Sequence, residues 1–202
     1  MNVLAAGDSA LLVELEDLDS VLALYSVLRA DLPDGVIEAV PAARTVLLLC
    51  DPQAVSLAAI EHALRRLQPA PHRRPAEEPV EIPSRYDGPD IDDVLAATGM
   101  TRSELIDWHT GSSWQVAFCG FAPGFGYLVT DSGRTVPRRD SPRTSVPAGS
   151  IGLAGEFSGV YPRASPGGWQ LIGRTEATLF DLDADPPALL RPGVGVRFVD
   201  CG

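Results

Sequence analysis

Residues 113–128 read SWQVAFCGFAPGFGYL, and this stretch decides the fold of the larger part of the chain. Ser113 to Cys119 alternates, with Trp114, Val116 and Phe118 on one side, the period of two that marks a strand. Gly120-Phe121-Ala122-Pro123-Gly124-Phe125-Gly126-Tyr127-Leu128 then interrupts it with three glycines, a proline and three aromatics. Pro123-Gly124 suits a turn with positive φ at the glycine. Phe121, Phe125 and Tyr127 stand around a loop whose backbone can approach a ligand closely. A hairpin with packed aromatics is the plainer alternative.

Further along, Val194, Val196 and Phe198 alternate in the same way. Turn signals lie between the two: Asp131-Ser132-Gly133, Ser165-Pro166-Gly167-Gly168 and Arg191-Pro192-Gly193. The 19 glycines and 18 prolines among 202 residues suit many short strands better than a helical bundle. Strands broken this way predict a β-barrel or sandwich. Ahead of it, Asp90 can cap a helix through Ala97, closed by Gly99. Thr101-Arg102-Ser103-Glu104 is a capping box that opens a second helix carrying Leu105, Ile106 and Trp108. The helix pair is expected across one opening of the barrel.

Upstream, Gln68 to Pro79 (QPAPHRRPAEEP) has the composition of a linker and divides the chain into residues 1–70 and 79–202. The first part reads as a small α+β sandwich in the order β-α-β-β-α. Its strands are Ala10–Leu15, Val36–Val40 and Thr45–Cys50. One helix carries Val21, Leu24, Tyr25 and Leu28, capped by Asp19 or Ser20 and stopped by Pro33–Gly35. The other carries Leu57, Ile60, Leu64 and Leu67. Nothing in it suggests catalysis, so a structural or dimerising role is expected.

Charge and composition exclude several functions. The formal net charge is −11, all 16 basic residues are arginine, and lysine is absent. An acidic chain does not suit a broad nucleic-acid or anionic-membrane contact. Schiff-base, Walker A and Ser-x-x-Lys chemistries all need a lysine. Cys50, Cys119 and Cys201 are too scattered for a disulfide framework or zinc site, and so are His62, His72 and His109 for a metal. The N-terminus lacks a basic signal-peptide region and no apolar run is long enough to span a bilayer, so a cytoplasmic, reducing setting is expected.

Three other features can carry chemistry, and a fourth fails on inspection. Arg134, Arg138, Arg139 and Arg143 cluster against the net charge, and guanidinium forks recognise carboxylate or phosphate. The plainer alternative is solvated loop charge, with Asp140 pairing locally. Tyr161 to Gln170 ends in Gly167-Gly168-Trp169-Gln170, which offers N–H donors, a stacking face and an amide. His109 ends a helix, as a capping residue or a general acid–base. Ser145 to Gly152 fails as a nucleophile elbow, because Ala148 stands where that motif needs glycine.

Taken together, GFAPGFGYL and PRRDSPRTSVPAGSIGLAGEFSGVYPRASPGGWQLIGRT resemble the signature of the 5-oxoprolinase B-subunit family, also known as allophanate hydrolase subunit 1, which includes KipI. The likeness runs through most of residues 80–198. It implies a cyclophilin-like β-barrel after a small α+β domain. It implies ATP-driven conversion of 5-oxoproline to glutamate in company with subunits A and C. ATP and Mg2+ would be bound together with the partner. By position the resemblance implies a catalytic role for His109. It implies substrate binding by Phe121, Pro123, Gly124, Tyr127, Arg138, Arg143, Gly167, Gly168, Trp169 and Gln170. The family loop ahead of Gly-Pro-Asp is shortened here to Tyr86-Asp87-Gly88-Pro89-Asp90, which bears on substrate identity. A KipI-like inhibitor of a sensor histidine kinase shares the same motifs. So does a urea-carboxylase-like carboxyltransferase component.

Overall fold

Val46, Leu48 and Cys50 of Thr45–Cys50 and Leu11 and Val13 of Ala10–Glu14 turn to one face of their strands, and burying that row builds the first part of the chain. The computed structural model describes residues 1–69 and 78–202. The chain divides into two compact units, Met1–Arg73 and Arg74–Gly202. The expected linker falls mostly on residues 70–77, outside the described residues.

Unit one runs β1 (Asn2–Ala5), β2 (Ala10–Glu14), α1 (Leu18–Ala30), β3 (Val36–Pro41), β4 (Thr45–Cys50) and α2 (Leu57–Arg66). The strands form an antiparallel sheet of order β1-β2-β4-β3. Leu11, Val13, Val46 and Leu48 from the sheet meet Leu24 and Leu28 of α1 and Ile60 of α2 in one core. Each of these side chains contributes roughly 1.5–3 kcal/mol on burial. Strand β1 was not expected. It is an exposed edge strand without clear alternation, held by pairing with β2. The α1 cap is Asp17, whose carboxylate accepts from the Ser20 amide at 2.8 Å, ahead of the expected Asp19 or Ser20.

Unit two opens with β5 (Val80–Ser84), α3 (Ile91–Thr98) and α4 (Arg102–Gly111). Strands β6 (Trp114–Cys119), β7 (Gly126–Val129), β8 (Arg143–Val146), β9 (Ser150–Ala154) and β10 (Phe157–Val160) follow. The last are β11 (Ser165–Gly167), β12 (Gln170–Arg174) and β13 (Gly195–Asp200). Seven of these strands form one sheet of order β12-β9-β10-β7-β6-β13-β5, with β8 and β11 as a separate ribbon. The sheet curls until its ends meet. Arg85, just past β5, exchanges two 2.9 Å backbone hydrogen bonds with Arg174 at the end of β12. Gly173 permits that approach, since a Cβ there would collide with the Arg85 carbonyl oxygen. The architecture is the α+β arrangement expected, with a nearly closed cyclophilin-like barrel.

Trp114, Val116, Leu128, Ile151 and Phe198 fill the barrel together with Leu105 from α4. The capping box of α4 forms as its sequence predicts, and α3 ends at Gly99. Among the described residues no helix is long and apolar enough to cross a membrane.

Candidate functional site

Asp90 is the N-cap of α3, but its side chain makes no capping hydrogen bond. It is only 2% exposed, and a buried carboxylate must find partners. Arg139 donates to it at 2.7 Å, Arg143 donates twice at 2.6 and 2.9 Å, and the Leu171 amide donates at 2.7 Å. Burial alone would raise its pKa. The hydrogen bonds from Arg143 and Leu171, with the charges of Arg143 and Arg139, outweigh burial and hold it below the ordinary aspartate value. This cluster ties α3, the arginine segment and β12 together.

The arginine segment therefore divides by role. The guanidinium of Arg143, predicted to hold substrate, is taken up by Asp90, and so is that of Arg139. Arg138 is exposed and, among the described residues, has no carboxylate partner. It lines a groove of about 540 Å³ whose walls include Tyr127, Phe157 and Trp169. Trp169 packs edge-on against Tyr127 at 5.5 Å, and Tyr127 stacks on Phe118 at 4.4 Å. Burial raises the Tyr127 hydroxyl above its ordinary pKa, and the Arg138 charge opposes that shift. The groove thus joins an aromatic wall to a cation free to meet an anion.

Of the other predicted residues, Gly167 and Gly168 border this region through the arginine segment. The Arg139 amide donates to the Gly168 carbonyl at 3.0 Å. Gln170 is buried and its Oε1 has no hydrogen-bond partner among the described residues. Phe121 and Pro123 are exposed on the loop before β7, and Gly124 is buried with φ of 81°. Neither Phe121 nor Gly124 lines the groove. Instead, a Cβ on Gly124 would sit 2.7 Å from the Phe180 Cβ.

His109 does not line the groove either. Its ring has no exposed surface. Its Nδ1 is hydrogen-bonded to the Tyr86 hydroxyl at 2.7 Å and its Nε2 to the Ser158 hydroxyl at 2.9 Å. Burial pushes its pKa down to about 3, so it is neutral at pH 7. A neutral imidazole with both nitrogens engaged joins α4 to Tyr86 and β10. Asp90 and Phe157 are the site residues that the sequence reading missed. Asp90 looked like an ordinary helix cap, and its partners are too distant in sequence for any local spacing to reveal them.

A small α+β unit followed by a nearly closed barrel with a helix pair is the architecture to be compared with known proteins. The family described as "Carboxyltransferase domain, subdomain C and D" matches residues 1–190. The chain is 39% identical to the B subunit of 5-oxoprolinase from Escherichia coli O157:H7, over 96% of this chain and 93% of that one. It is 49% identical to the Bacillus subtilis protein of the same name, over 59% of this chain and 52% of that one. The chain belongs to the 5-oxoprolinase B-subunit family.

Among solved structures, TTHA0988 superimposes with a TM-score of 0.78 at 32% identity, covering 96% of this chain and 40% of that one. The present chain thus spans about two fifths of that polypeptide. The urea carboxylase of Kluyveromyces lactis shares the fold, with a TM-score of 0.70 at 20% identity over 99% of this chain and 22% of that one.

Proposed function

We propose that this chain is the B subunit of an ATP-dependent 5-oxoprolinase that acts with subunits A and C to open 5-oxoproline to glutamate. The observation that carries this reading is the near end-to-end match to a protein named as that subunit. The groove is compatible with it. A lactam that bears a carboxylate is a small anion, and Arg138 offers it a guanidinium beside Trp169 and Tyr127.

A magnesium nucleotide would draw its cationic contacts from arginine or from a partner chain. Lysine is absent, Arg139 and Arg143 are neutralised by Asp90, and no cluster of three metal-ligating side chains occurs among the described residues. On this reading ATP and Mg2+ would be held jointly with a partner. Its own contribution is to bind and orient the anionic substrate at Arg138. His109 and Asp90 act as positioning residues that fix the walls.

The experiment is co-purification with subunits A and C, followed by ATP hydrolysis with and without 5-oxoproline. The complex should hydrolyse ATP in response to 5-oxoproline, and this chain alone should not. Arg138→Ala should lower coupled turnover by about tenfold or more, the loss of one charge-assisted hydrogen bond, with its unfolding midpoint unchanged. Robust turnover by the isolated chain would refute the shared site.

A further inference from the structure

Phe121 carries two separate penalties. It is the one non-glycine residue among those described with positive φ, 65°, a conformation that bulky residues rarely adopt. Its side chain is also 57% exposed. A non-glycine residue stays in that conformation only where its surroundings hold it there, and such residues cluster at functional positions.

Two more apolar side chains are exposed on the segment that this loop packs against. The loop seats at Gly124 against Leu179 and Phe180. Phe180 is 36% exposed and Leu182 is 80% exposed. Leu182 is held at the tip of a closed turn. Phe180 bridges to Ala188, and the Asp181 amide donates to the Pro187 carbonyl at 2.9 Å. Asp181, Asp183 and Asp185, all exposed, rim the same turn. Among the described residues none of the three has an ion-pair partner. In TTHA0988 the matching region is joined to further polypeptide, since this chain covers only 40% of it.

We infer that Phe121, Phe180 and Leu182 form a docking surface for a partner polypeptide that presents an apolar pocket rimmed by arginine or lysine. The inference rests on the reading of the chain as one subunit of a complex. The aspartates select the charge of the rim, and the Phe121 ring fills the pocket. The surface also leads to the groove. Phe121 meets Phe125 at 5.3 Å and Phe125 meets Trp169 at 5.4 Å, so a docked partner bears on the groove wall through two rings.

The probe is the co-expressed C-subunit polypeptide from the same genome, titrated against this chain. Leu182→Arg and Phe121→Gly should each weaken binding about tenfold or more. Phe121→Gly should leave the melting temperature of the free chain unchanged or raised, because glycine takes positive φ without strain. Neutralising Asp181, Asp183 and Asp185 together to Asn should flatten the salt dependence of the association rate. Wild-type complex formation with both variants binding within about twofold overturns the surface and leaves the reading of the chain as a subunit standing. Failure of the wild-type chain to bind that polypeptide overturns both.

Discussion

Asp90 lies 49 and 53 positions from Arg139 and Arg143, yet it meets both guanidinium groups and one backbone amide. Removing it leaves two partly buried guanidinium groups facing each other. Asp90→Ala should therefore cost about 3 kcal/mol, the lower end for a broken buried pair because both arginines keep some exposure. Urea unfolding with an unchanged slope would register it, and a loss under about 1 kcal/mol would mean the cluster behaves as surface charge. The folded pKa of Asp90 is depressed, so its contribution is present above the unfolded value and disappears as pH falls through the lower folded one. His109 gives a second window. Its folded pKa is about 3 against an unfolded value of about 6.5, so below pH about 6.5 the unfolded chain binds the extra proton. Stability should fall by about 1.4 kcal/mol per pH unit from there toward pH 3. His109→Gln should flatten that slope while costing stability at pH 7. An identical slope in the variant would show that other groups set the pH dependence.

Elements were legible where the signal is local. Four residues, Thr101 to Glu104, announce the capping box of α4, and both of its hydrogen-bond sets form. Thr101→Ala should cost about 1 kcal/mol, read as a shift in thermal midpoint. Strands β6 and β13 were legible for the same reason, through a period of two. The ribbon of β8 and β11 was not. Arg143–Val146 and Ser165–Gly167 carry arginine, proline and glycine, and their pairing depends on where the barrel holds them. Barrel closure was equally hidden, because it depends on Arg85 meeting Arg174, a pairing no window of sequence contains. Gly173→Val should cost about 3 kcal/mol by forcing backbone apart at that seam. Hydrogen exchange at the Arg85 and Arg174 amides should accelerate more than at β6. Uniform acceleration would mean that the seam is not a separate weak point.

At the scale of the molecule, the two units bury separate sets of side chains. One core draws on Leu11, Leu24 and Leu48, while the others draw on Trp114, Phe198, Phe125 and Trp169. A unit with its own core and a closed hydrogen-bond seam meets the requirements for folding alone. The resemblance lay in residues 80–198 because glycines, aromatics and arginines with fixed contacts are concentrated there. The first unit offered only periodicity, which specifies elements and says little about function. Residues 78–202, expressed without the first unit, should therefore unfold cooperatively. Tryptophan fluorescence reads this cleanly, because Trp108, Trp114 and Trp169 are the only three tryptophans and all lie in this unit. The fragment should reproduce the emission maximum and urea midpoint that the full chain shows by the same probe. A red-shifted emission or a non-cooperative transition would mean the barrel depends on the first unit. The docking surface and the Arg138 groove would then have to be tested only in the intact chain.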